Sequence, residues 1–205
     1  MFTIQYAARF NDRKFVANDA TPISNYTRNT MMNLSNFSGK TIAIMVASGF
    51  DETAFIAIQR VMMTAGGTLR VVSREAGLTN AWNGTGWGMS YPADATLSTT
   101  LAIDYDALIV PSGIRHIENL KTDAHTKRVL RAFIREDMPV LLQGEAISLI
   151  DLIEDDVDRP TVSNGDGIPV VDRNLVTIAA ASEALDELKA LNDLMATDAG
   201  ESFAA

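Results

Sequence analysis

The 205-residue sequence contains no cysteine. That excludes disulfides, a thiolate nucleophile and any zinc or iron-sulfur site built on cysteine ligands. Histidine is almost as scarce. Only His116 and His125 occur, without carboxylates at ligand spacing, so no metal and no cofactor are expected. No apolar run approaches the ~18 residues of a membrane span, and Met1 to Arg9 lack the basic start and uninterrupted apolar stretch of a secretory signal. Basic residues number 17 against 26 acidic ones, a formal charge of -9, and they are scattered. A nucleic-acid partner is not expected, because phosphate binding needs clustered Lys and Arg. A cytoplasmic location is the expectation from this composition.

The remaining composition is ordinary for a globular protein: 47% hydrophobic and 21% charged residues, enough chain for one sizeable α/β domain with a core. Residues 1–38 stand apart. They carry Asn11, Asn18, Asn25, Asn29, Asn33 and Asn36 and show no sustained period, yet Phe2, Ile4, Tyr6, Phe10, Phe15 and Phe37 are too apolar for a free tail. They read as an extension lying on its own domain or on a neighbouring subunit. A domain is expected over residues 39–197 and a short tail over 198–205.

From Lys40 the pattern alternates. Thr41 to Ala47 is an apolar run of the kind a strand shows when both faces are covered. Phe55, Ile58, Val61, Met62 and Ala65 come next at helical spacing, with Asp51 and Glu52 at the start and Gly66-Gly67 at the end. Thr68 to Ser73 completes a βαβ unit. Residues 77–100 are rich in turn residues and predict a β-excursion. Gly84-Thr85-Gly86-Trp87-Gly88-Met89 lacks the third glycine of a dinucleotide loop and precedes no helix pattern, so Trp82, Trp87 and Tyr91 read as hairpin packing. Tyr105 to Pro111 is the next strand, succeeded by Ser112-Gly113 and a loop. A helix is marked by Val129, Leu130, Phe133 and Ile134, a strand by Pro139 to Leu142, two late strands by Ile168 to Val171 and Asn174 to Ile178, and a final helix by Leu185, Leu188, Leu191 and Leu194. Ser182, Glu183, Asp186 and Glu187 open that helix.

Residues 139–146 read as a buried strand running into a helix start, a place where a nucleophile is displayed, but Gly144 offers only backbone. Glu145 is the candidate general acid or base if burial in a cleft shifts its ionisation, and Gln143 and the N–H groups around Gly144 are candidates for holding an anionic oxygen. Asp51 and Glu52 fall at the end of the first strand, at the carboxyl edge where parallel sheets bind ligands. They read either as paired acids or as helix N-terminal charge. His116 is placed to face the same crevice and His125 to lie on the surface. A relay of Ser112 with His116 is a weak substitute for a displayed serine, since no G-x-S-x-G occurs. Asp151, Glu154, Asp155, Asp156 and Asp158 lack calcium-loop spacing and read as solvated surface.

The order of elements resembles the ThiJ/PfpI family, of the class I glutamine amidotransferase-like superfamily. The resemblance rests on Ile44 to Glu52, Ala65-Gly66-Gly67, Asp94 with Thr96-Leu97, Asp104 to Gly113, Pro139-Val140 with the elbow, and Val171 to Thr177. It implies a flavodoxin-like parallel sheet with helices on both faces and a small β-excursion. It also implies a crevice formed by Gln143, Gly144, Glu145, Ser112 and Gly113. In that family an elbow cysteine is followed by histidine and assisted by a glutamate from the first loop. Those three positions fall here on Gly144, Glu145 and, on or near it, Ala54. Gly-Glu at the elbow is similar to the non-catalytic C-terminal domain of large-subunit catalases, although this chain is too short to include a haem-binding core. The resemblance implies a non-catalytic binding, oligomerisation or stress-related module, a homodimer, with a catalase or other stress enzyme as possible partner. The alternative is a cysteine-independent hydrolase or hydratase that acts on a small carbonyl compound through Glu145, with Asp51, Glu52 or His116.

Overall fold

The computed structural model describes residues 34–153, 158–165, 167–179 and 184–201. In chain order the elements are β1 (Thr41–Val46), β2 (Phe50–Asp51), α1 (Glu52–Ala65), β3 (Thr68–Ser73), β4 (Leu78–Trp82), β5 (Trp87–Pro92), β6 (Ala95–Thr96), β7 (Ala107–Val110), α2 (Ile114–Lys121), α3 (Ala124–Arg135), β8 (Val140–Gln143), a 3-10 helix over Gly144–Leu152, β9 (Val170–Asp172), β10 (Leu175–Ile178) and α4 (Ala184–Glu201). Residues 1–33 of the expected extension lie outside the described residues, as do Glu154, Asp155, Asp156, Ser182 and Glu183.

Among the described residues the strands form a seven-stranded sheet, ordered β6-β3-β1-β7-β8-β10-β9, and a three-stranded one, β2-β4-β5. The large sheet is parallel except for β9, which pairs antiparallel with β10. This is the expected flavodoxin-like sheet with helices on both faces and a β-excursion. The chain leaves β1 on one side to reach β3 and returns on the other as β7, so the sheet's switch point opens between β1 and β7.

Side chains along each central strand alternate between two cores, as the two-residue period requires. Ala43, Met45, Leu108, Val110 and Leu142 face Ile117, Leu120, Val129, Leu130 and Phe133. Ile42, Ile44, Val46, Ile109, Leu141 and Val176 face Phe55, Ile58, Met62, Leu188 and Leu191. Strands covered on both faces explain why the sequence there reads as apolar runs.

Leu34 and Phe37, assigned to the extension, are buried in the second core, and Asn36 donates from its backbone N–H to the Asn192 Oδ1 of α4 at 3.1 Å and from its side-chain amide to the Asn192 carbonyl at 2.9 Å. This end of the extension lies on its own domain, one of the two placements read from the sequence, and α4 ends at Glu201. The segment after Gly113, expected as a loop, is the helix α2. Its buried stripe is only His116, Ile117 and Leu120, too short for periodicity to reveal.

Several polar residues that carry the resemblance secure the fold. Asp106 accepts from the Thr41 N–H at 2.8 Å and the Lys40 ammonium at 2.9 Å. Asp94 accepts from the Val71 N–H at 2.7 Å, and Asn174 donates to the Phe133 and Ile134 carbonyls in the last turn of α3 and to the Met138 carbonyl beyond it. The glycine-rich stretch is the β4–β5 turn: Asn83 Oδ1 accepts from the N–H groups of Thr85 and Gly86.

Candidate functional site: the cleft at the Gly144 elbow

β8 is buried along its length and ends at Gln143, where the backbone turns sharply. Gly144 has φ +55°, and a Cβ built on it would lie 2.9 Å from the Ser112 Cβ. The elbow position therefore lacks a nucleophile and is crowded against one, because any side chain there must displace Ser112. From this turn the chain enters the 3-10 helix, with Glu145 as its first acidic residue.

Glu145 is exposed, and its Oε2 accepts the Gly113 N–H at 3.0 Å. Gly113 begins α2 with φ +135°. A Cβ there would approach the Asp51 nitrogen and the His116 ring at 2.9 Å each, so the two loops touch only because this residue has no side chain. The elbow carboxylate thus occupies a free N–H at the start of a helix, where a negative charge is favourable.

The first loop is tied to the second: the Asp51 N–H donates to the Ser112 carbonyl at 2.9 Å, and Asn119 donates to the Ser48 carbonyl at 3.2 Å. Asp51 Oδ1 accepts the Ala54 N–H at 2.8 Å and so caps α1. Ala54, on or near which the resemblance places the helper glutamate, contributes that N–H. Glu52 turns away from the crevice, and its Oε1 accepts the Met89 N–H of β5 at 2.7 Å. The two acids are each engaged by backbone and diverge, and among the described residues no group of three His, Asp or Glu converges as a metal site.

His116 does not face the crevice. It is fully buried, its Nε2 bonds to the Pro111 carbonyl at 2.7 Å, and its ring meets Phe50 edge-on with centroids 6.4 Å apart. Burial pulls its pKa down from 6.5 to about 4, against the opposing pull of that backbone hydrogen bond, so the ring is neutral at physiological pH. His125, on α3, is exposed as expected. Gln143 is also absent from the cleft wall. It is buried, and its amide donates to Glu187 on α4, a residue that reads from sequence as a helix-start acid and is itself only 3% exposed.

The cleft has a volume of about 610 Å³ and is open to solvent. Of the expected crevice residues Ser112, Gly113, Gly144 and Glu145 line it, and Asp51 joins them. Among the further lining residues, Trp82, Arg115 and Glu118 bring side-chain chemistry that the sequence reading did not place in the cleft. The Arg115 guanidinium lies 4.1 Å over the Trp82 ring, while Trp82 also meets Trp87 edge-on at 5.6 Å. Hairpin packing is therefore only half of Trp82's role. The available signal was Arg115 and Glu118 three residues apart, directly after a strand's carboxyl end. A second cavity of about 400 Å³, walled by Ile147, Ile150 and Val162, shares Gly144, Glu145 and Ala179 with the first.

A doubly covered, mainly parallel sheet with a cleft over a strand-to-helix elbow at its switch point defines a flavodoxin-like α/β protein. Within that class the chain belongs to the DJ-1/PfpI family, whose sequence model matches residues 40–191. The ThiJ/PfpI domain protein from Brachyspira murdochii superposes with a TM-score of 0.66 at 17% identity, over 78% of this chain and 98% of that one. Oxidized DJ-1 from Toxoplasma gondii superposes with a TM-score of 0.61 at 17% identity, over 82% and 100%. A two-domain protein from Anabaena variabilis, with DJ-1/ThiJ/PfpI-like and ferritin-like domains, gives 0.65 at 18% identity over 78% of this chain and 48% of its own, so the chain spans about half of that protein. At these identities the likeness concerns the fold. No curated protein matches the sequence. No helix among the described residues is long and apolar enough to cross a membrane.

Proposed function

We propose that this chain is a DJ-1/PfpI-family domain without cysteine chemistry, acting as a non-catalytic binding, oligomerisation or stress-related accessory module. The observation that carries this reading is the elbow. Gly144 stands where the family displays its nucleophile, Ser112 fills the space a side chain would need, and the chain has no thiol elsewhere to supply one. The Gly-Glu elbow supports placing it beside the C-terminal domain of large-subunit catalases, with a catalase or other stress enzyme as partner, and the reading includes a cytoplasmic homodimer. The exposure of Glu145 and its bond to the Gly113 N–H favour a helix-start charge over the general acid or base of the hydrolase or hydratase alternative.

The test is turnover of methylglyoxal and of small amide and ester substrates. None is expected above the uncatalysed rate. Turnover that Glu145→Gln abolishes would reject the non-catalytic reading in favour of the carboxylate enzyme. Sedimentation at a dimer's mass is expected, and a monomer at working concentration would remove oligomerisation from the proposal.

A further inference from the structure

Four charged side chains line the cleft, and they are not equivalent. Asp51 is engaged by the Ala54 N–H and Glu145 by the Gly113 N–H. Arg115 and Glu118 are both exposed, and among the described residues neither forms an ion pair. Residues three apart on a helix are neighbours and would ordinarily meet. Here the guanidinium lies on Trp82 instead, so the cleft presents a cation, an anion and an aromatic plane side by side.

That arrangement discriminates between ligand charges. A simple anion that reaches Arg115 also meets the carboxylates of Glu118, Glu145 and Asp51. A simple cation competes with Arg115 for the Trp82 face. A molecule with both charges on a short frame satisfies Arg115 and Glu118 together with no net charge brought into the cleft. Guanidinium is well matched to a carboxylate because its forked N–H groups bind both oxygens. We propose that the cleft binds a small zwitterion of the α-amino-acid type, its carboxylate on Arg115 and its ammonium on Glu118, beside the Trp82 ring on which Arg115 rests. This inference rests on the reading of the cleft as a binding site and adds the ligand class.

Trp82 and Trp87 are the only tryptophans, so Trp87→Phe leaves a fluorophore that sits in the cleft. Leucine, phenylalanine, serine and lysine are titrated against this variant, and then the amide and the N-acetyl derivative of each responder. A saturable change is expected with the free amino acid. Removing either charge weakens binding roughly tenfold or more, the loss of one charge-assisted contact. Arg115→Gln should weaken the amino acid but not its amide, and Glu118→Gln should weaken the amino acid but not its N-acetyl derivative. Both side chains are exposed, so the variants retain the fold. No response to any of the four, or amides and N-acetyl derivatives binding as tightly as the parent, overturns the assignment. An absent response without turnover leaves the non-catalytic reading standing, whereas turnover overturns that reading whatever the amino acids do.

Discussion

At Gly144 the left-handed backbone and the 2.9 Å approach of a built Cβ to Ser112 act together. Gly144→Cys is expected to cost about 1–3 kcal/mol through backbone strain alone, with the overlap added. Urea denaturation reads that loss. Adding Ser112→Gly should relieve the steric part, and neither variant should gain turnover of methylglyoxal. A single variant as stable as its parent would show that the elbow is open. His116 gives a pH signature of known sign. Its pKa is about 4 folded and near 6.5 unfolded, so between those values the unfolded chain binds the extra proton and stability rises with pH. About 3 kcal/mol is present above pH 6.5 and lost as the pH falls through about 4. The stability difference between the protein and its His116→Gln variant should therefore shrink from pH 7 to pH 4. A constant difference would mean that the ring has the same pKa folded and unfolded.

The elements depend on polar ends that sequence indicates unevenly. Asp51 before an apolar helical stripe is a legible cap, and Asp51→Ala should cost about 1 kcal/mol in the same denaturation experiment. Glu187 is not legible in this way, because an acid in the first turn of α4 looks like solvent-facing charge. In the fold that turn lies over β8, and Glu187 meets the buried Gln143 amide. Glu187→Ala removes that acceptor and is expected to cost about 1–3 kcal/mol, with Glu187→Gln costing less because an acceptor remains. Equal stability of the alanine variant would show that the pair contributes nothing. The same contrast runs through the other elements. β1, β3, β7 and β8 are readable as apolar runs, and α1 and α3 as stripes. α2 is not, because one buried turn carries too little periodicity and because its buried His116 reads as polar.

For the whole molecule, the charge of -9 predicts no retention of duplex DNA at moderate salt, and a gel-shift assay checks it. A retarded band would require a basic patch that the sequence does not display. The sequence by itself determined the layered α/β class, through runs and stripes whose periods come from backbone geometry, and the loss of thiol chemistry, through composition. The tertiary structure alone decided what the site residues do. The partner of Glu145 is 32 positions away and that of Gln143 is 44 away. Such pairs form only once the strand order brings separate loops to one edge. That edge sends His116 inward, spends Asp51 and Glu52 on backbone, and leaves Arg115, Glu118 and Trp82 around the space beside the elbow.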